Sequence, residues 1–178
     1  STAWWSDVAE RTLTAPSGAE RLIVPQKSRA VALDVAALEA ALPTGSTPVE
    51  LVLPTPTGEG ARFRVWANDV MAPALRAKYP QIKTFSAVGL DDPSATAKLD
   101  LSPWGFHAMI RSANTGTSFI DPYFFNDASK AVVYFKKDYR RRRDAESFEC
   151  FAADETTLDD EELTLGPGAE TATPDAGD

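Results

Sequence analysis

Between residues 49 and 135 the chain is written in short alternating runs, each closed by Gly, Pro, Asn or Asp, at about the ten-residue spacing of a strand-and-turn protein. Val49, Leu51 and Leu53 alternate with Glu50 and Val52. After a Pro/Thr/Gly loop that ends at Gly60, Phe63 and Val65 alternate with Arg62, Arg64 and Trp66. A period of two places successive side chains on opposite faces of a strand, so each run has one face to bury and one to leave in water. Residues 85–90 are closed by Asp91-Asp92-Pro93, and residues 95–101 set small or apolar side chains against Thr96, Lys98 and Asp100. Ser102-Pro103-Trp104-Gly105 has Pro at i+1 and Gly at i+3 of a type I turn, which returns residues 106–111 antiparallel. Asn114-Thr115-Gly116 turns the chain into residues 118–120, and residues 131–135 are the last clear strand. The pattern predicts an α+β, β-dominated fold: an antiparallel sheet, curled or folded into a sandwich.

Two short helices complete it. Asp34 is a natural N-cap, Val35, Leu38 and Leu42 fall at i, i+3 and i+7, and Pro43-Thr44-Gly45 stops the helix. Asn68 or Asp69 can cap a second helix, with Met71, Leu75 and Tyr79 on one face and Pro80 at its end. Upstream, residues 21–24 and 29–33 read as strands separated by Pro25. Trp4, Trp5 and Val8 suit one apolar face of a helical turn before the turn-rich Ala15-Pro16-Ser17-Gly18.

With 178 residues, 43% of them hydrophobic, the chain has material for one sizeable core. The expected organisation is a lead-in over residues 1–20, a β-rich body over 21–153 and an acidic tail over 154–178. Charge marks the last boundary. Residues 1–153 carry 18 Lys+Arg against 17 Asp+Glu, whereas residues 154–178 carry 9 acids and no base. Such a strip lacks the apolar surface to fold and reads as a disordered linker. No run approaches the roughly 18 to 20 apolar residues of a membrane span, so no membrane partner is expected. The start at Ser1-Thr2-Ala3, without Met, is the pattern left when a leader or fusion sequence is removed.

One cysteine, Cys150, excludes an internal disulfide framework, and one histidine, His107, excludes His-Glu-x-x-His and any centre built on several histidines. Net acidity argues against a nucleic-acid partner, which needs a basic field. The local exception is Lys136, Lys137, Arg140, Arg141, Arg142 and Arg143. That cluster reads as a solvated strand end, a protease-sensitive processing site, or a docking patch for an acidic surface. His107, between Phe106 and Ala108, suits a half-buried strand site with one hydrogen bond. Asp121-Pro122-Tyr123 reads as turn chemistry, and so do Asp91 and Asp92, whose spacing to Asp100 matches no calcium loop.

The order of several short segments adds to this. Phe63-Arg64-Val65-Trp66 is followed by Val70-Met71-Ala72-Pro73-Ala74-Leu75, Lys78-Tyr79-Pro80 and Ile82-Lys83-Thr84-Phe85. Then come Gly89-Leu90-Asp91-Asp92-Pro93, Ala95-Thr96, Gly105-Phe106-His107-Ala108-Met109, Ile120-Asp121-Pro122-Tyr123 and Val133-Tyr134-Phe135-Lys136-Lys137-Asp138-Tyr139. This succession, over residues 30 to 150, resembles the N-terminal propeptide-like region of bacterial secreted reprolysin-like zinc metalloproteases. The resemblance implies a domain that is not itself an enzyme, assists folding of a cognate catalytic domain or holds it latent, and is secreted or periplasmic. It implies no cofactor of the chain's own, the zinc belonging to the partner, and a monomer when isolated.

Within that reading Cys150 is the candidate metal ligand in trans: a thiolate in the open fourth position of a three-histidine zinc closes the site. Phe148, Glu149, Cys150 and Phe151 form the candidate inhibitory segment, although they lack the Pro and Gly surroundings of the animal reprolysin cysteine switch. Arg140, Arg141, Arg142 and Arg143 are the processing candidates. The competing reading of Cys150 is a small residue packed with Phe148 on a last strand. The competing reading of the whole chain is an extracellular β-sandwich binding module for carbohydrate or a cell surface, using its tryptophans as a platform.

Overall fold

The computed structural model describes residues 3–16, 19–21, 23–68 and 73–139. The chain divides after Arg141, and all of these residues belong to the first unit, Ser1–Arg141. Its strands are β1 (Trp5–Asp7), β2 (Arg29–Leu33), β3 (Val49–Pro54), β4 (Gly60–Ala67), β5 (Lys83–Gly89), β6 (Thr96–Ser102), β7 (Gly105–Ser112), β8 (Gly116–Phe124) and β9 (Asp127–Phe135). Helices α1 (Val35–Ala41) and α2 (Pro73–Lys78) interrupt them. All nine strands form one antiparallel sheet in the order β1-β2-β9-β8-β7-β6-β5-β4-β3. The architecture is thus the single curled sheet, nearly closed on itself, and not two packed sheets.

Alternation decides what fills it. Leu51, Leu53, Phe63, Val65, Phe85, Leu99, Leu101, Phe106, Ile120 and Val133 all point inward into one core. Phe63 and Phe106 are almost wholly buried, and each such side chain contributes about 1.5–3 kcal/mol of transfer free energy. Asp34 caps α1 by accepting from the Ala37 amide at 3.0 Å, and the helix sends Leu38 and Leu42 into the same core.

The first strand departs from the expected helical turn. Trp4 enters the core, edge-on to Phe106 at 5.4 Å, whereas Trp5 reaches the seam between the two edge strands. Adjacent tryptophans on opposite sides demand a period of two, not 3.6. The Trp4 indole N–H is buried without a partner among the described residues.

The strand expected at residues 21–24 is also corrected. Arg21, Ile23 and Val24 pair with no strand, because β2 and β9 already have neighbours on both edges. Ile23 instead packs with Val8, Leu13 and Ala19 across the outer face, over Ala30, Tyr123, Phe124, Val132 and Tyr134. The Arg21 guanidinium lies 4.2 Å over the Tyr123 ring. An apolar run looks the same in sequence whether it pairs within a sheet or lies across one.

Asp121-Pro122-Tyr123 is part of β8, not a turn. Pro122 has no N–H to donate, and the ladder shifts register between it and Phe124 while the strand continues. Its ring packs against Gly105, where a Cβ would lie 2.6 Å from Pro122 Cγ and φ is +131°. Of the second helix, Asp69 and Met71 lie outside the described residues. Asn68 is described, and its side-chain amide donates to Ser86 Oγ at 2.7 Å. Leu75 is about half exposed.

The two edges of the sheet meet through side chains of β1 and β2. Trp5 Nε1 donates to the Val52 carbonyl at 3.1 Å, and Arg29 Nη1 donates to the Thr55 carbonyl at 2.9 Å. Arg29 is held by two bonds to the Asp7 carboxylate, 2.5 and 2.9 Å, and stacks 4.9 Å from the Trp5 ring. Gly60 makes room, since a Cβ there would meet Val52 Cγ1 at 2.5 Å and Trp5 Cζ2 at 3.3 Å. Trp5→Phe keeps a ring for Arg29 but removes the N–H bridge. It is expected to lower unfolding stability by about 1 kcal/mol in a urea titration, and an unchanged midpoint would show that the seam does not need the bond.

Candidate functional site

Four neighbouring strands each bring one ionisable side chain to the outer face. They are Asp100 on β6, His107 on β7, Asp121 on β8 and Tyr134 on β9. Their neighbours Leu99, Leu101, Phe106, Ala108, Ile120 and Val133 point into the core, so the alternation aims these four outward. The ladders then align them. Asp100 stands opposite His107, and the Ala108–Ile120 pair brings the adjacent His107 and Asp121 together.

His107 Nδ1 lies 2.9 Å from Asp121 Oδ1, and the Tyr134 hydroxyl donates to Asp121 Oδ2 at 2.8 Å. The Asp121 side chain is 14% exposed and the imidazole 39%. Because an ionised carboxylate only accepts, the Nδ1 proton stays on the ring and Nε2 is the nitrogen that gains or loses a proton. Asp100 has no hydrogen-bond donor of its own among the described residues, although it is only partly exposed.

The environment moves three of these groups. The hydrogen bond to Asp121 raises His107 above the ordinary imidazole value; burial opposes this, and the charges of Asp100 and Asp121 add to it. Burial raises the Asp100 carboxyl, with His107 opposing and Asp121 reinforcing. Burial, then the bond to Asp121, pushes the Tyr134 phenol far above its usual range, so it stays protonated as a donor. The row is chemically a proton-holding site. Among the described residues, no group of three or more His, Cys, Asp or Glu is placed to hold a metal ion.

At the sheet end formed by the β3–β4, β5–β6 and β7–β8 turns lies a cavity of about 320 Å³, with Phe63, Ala95, Ile110 and Ser118 as its floor and Arg62 and Asp91 on its rim. Its loops are tied together. Asp92 accepts from Ser94 Oγ (2.7 Å), Ser112 Oγ (2.6 Å) and Asn114 Nδ2 (2.9 Å), and Asp91 accepts from Arg62 (2.7 and 3.0 Å). These bonds hold both carboxyls below the usual aspartate value, led by Arg62 for Asp91 and Ser112 for Asp92. The two aspartates are therefore turn staples, as their spacing suggests.

Cys150, with Phe148, Glu149 and Phe151, lies outside the described residues, as do Arg140, Arg141, Arg142, Arg143 and the acidic strip 154–178. Of the basic cluster, Lys136 and Lys137 are described, in a short 3-10 turn after β9. His107 occupies the expected half-buried strand site with a side-chain bond. Its partners Asp121 and Tyr134 were not evident from the sequence. The outward alternation of β8 and β9 marks both residues, but only the register shows that they meet.

No protein family, curated protein or solved structure matches the chain. Tyr134→Phe keeps the ring packed on Phe119 but takes a donor from Asp121. A loss of about 1–2 kcal/mol in denaturant unfolding is expected; no loss would mean that water replaces the phenol freely.

Proposed function

We propose that this chain is a propeptide-like domain of a secreted zinc metalloprotease. It acts as folding assistant, latency inhibitor or both by binding the cognate catalytic domain. What supports the reading is the order of the segments that resemble that family, several of which fall on strands of the antiparallel meander from β4 to β9. Phe63-Arg64-Val65-Trp66 lies in β4, Lys83-Thr84-Phe85 opens β5, and Gly105-Phe106-His107-Ala108-Met109 opens β7. Ile120-Asp121-Pro122-Tyr123 lies in β8, and Val133-Tyr134-Phe135 ends β9.

Binding has two routes. An edge strand can add to the rim of a substrate cleft, or residues 148–151 can fill it with Cys150 on the partner's zinc. The edge carbonyls of Val52 and Thr55 are already taken by Trp5 and Arg29, which favours residues 148–151. The arginines at 140–143 remain the candidate processing site, ahead of residues 148–151.

Titration of the chain against the mature protease tests the proposal. Dose-dependent inhibition, or a higher refolding yield of the protease, is expected; neither effect at micromolar excess excludes both roles. Cys150→Ser isolates the thiol: lost potency assigns it to zinc, and equal potency leaves cleft blockade alone.

A second reading rests on two exposed aromatics. Trp104 (51% exposed) and Phe125 (48%) stand at the turns after β6 and β8, which the Gly105–Pro122 contact joins. A carbohydrate or cell-surface module would use such a pair. A saccharide-dependent shift in tryptophan fluorescence, lost in Trp104→Ala, is expected only of that module.

A further inference from the structure

We propose that Asp100, His107 and Asp121 form a proton-operated clasp across β6, β7 and β8, closed in mildly acidic solution and loosened as the solution turns alkaline. The inference does not depend on the proposed function. It rests on where the sheet places the three side chains. Asp121 is satisfied on both oxygens, by His107 and Tyr134, whereas Asp100 stands opposite the same imidazole without a donor among the described residues. A protonated imidazole lies between two carboxylates and supplies the positive charge that Asp100 lacks. A neutral one leaves two carboxylates flanking it on β6 and β8, one of them partly buried and unpaired.

The other charged side chains on these strands are engaged elsewhere or lie further along them. On β6, Lys98 is engaged with Ser86 at 2.7 Å. On β9, Lys130 turns to Ser129, and Tyr134 stays protonated beside Tyr139, 5.9 Å ring to ring. The overlying N-terminal segment brings Arg21 and Glu10, which pair with each other at 3.4 Å over Tyr123. Arg111 shares β7 two positions beyond Met109. His107 is the sole histidine of the 178 residues, so it dominates titration around neutrality.

The signs agree. A raised imidazole contributes stability that is complete below the unfolded value of about 6.5 and is lost as pH rises through the folded value. A raised Asp100 carboxyl likewise favours the more acidic side. The lowered Asp7, Asp91 and Asp92 act the other way, withdrawing stability only as pH falls below about 4. Stability should peak in mildly acidic solution.

The test uses the full chain. Proton NMR of the single imidazole should give a titration midpoint above 6.5, and Asp100→Asn should lower that midpoint. Thermal unfolding should fall by a few degrees between pH 5.5 and 8, and His107→Gln should flatten the difference. Amide exchange in β6 to β8 should quicken over the same range. A wild-type midpoint at or below 6.5, or a midpoint unmoved by Asp100→Asn, overturns the clasp even if His107→Gln does not fold. An unaltered pH profile in a folded His107→Gln variant does the same.

Discussion

A single sheet with one apolar face has to hide that face, and in this chain it does so by curling. Nine strands turn Leu53, Phe63, Val65, Phe106, Ile120 and their neighbours inward, and helix α1 adds Leu38 and Leu42. The curl brings two edge strands together, and their seam is closed by an indole and a guanidinium rather than by a ladder. Trp4 and Trp5 divide the work: one fills the core, the other spans the gap. Closing an edge with side chains also removes a template for unwanted pairing, the usual liability of an open sheet.

Curvature has consequences on the outside. With the inner face full, the outer face is free to carry polar chemistry, and the strands hold it rigidly. The segment between β1 and β2 covers one part with Val8, Leu13, Ala19 and Ile23. Beside it Asp100, His107 and Asp121 stay partly open to water, while Tyr134 is buried under its edge. Its geometry follows from register: a slip of one residue would send His107 into the core and Phe106 into solvent.

Much of this was legible beforehand. The alternation at Val49 to Leu53 and Phe63 to Trp66, the Asp34 cap and the turn at Ser102 to Gly105 each act locally, so the sequence displays them directly. What escaped is non-local. Residues 21–24 resemble a strand but lie across one, Trp4 and Trp5 resemble a helical face but split between core and seam, and Pro122 resembles a turn but bulges a strand. The pairing of His107 with Asp121 needed the β7–β8 register, which no short motif encodes. Cys150 and its flanking residues, the sharpest candidates in the sequence, lie outside the described residues.

In the proposed function the sheet serves a neighbouring zinc centre in the same polypeptide. Sequencing the reading frame that encodes the chain, past Asp178, tests this most directly. An elongated His-Glu-x-x-His-x-x-Gly-x-x-His motif in the same polypeptide is the expected result. A stop codon directly after Asp178 in the natural gene, or a downstream domain without a zinc motif, would contradict it.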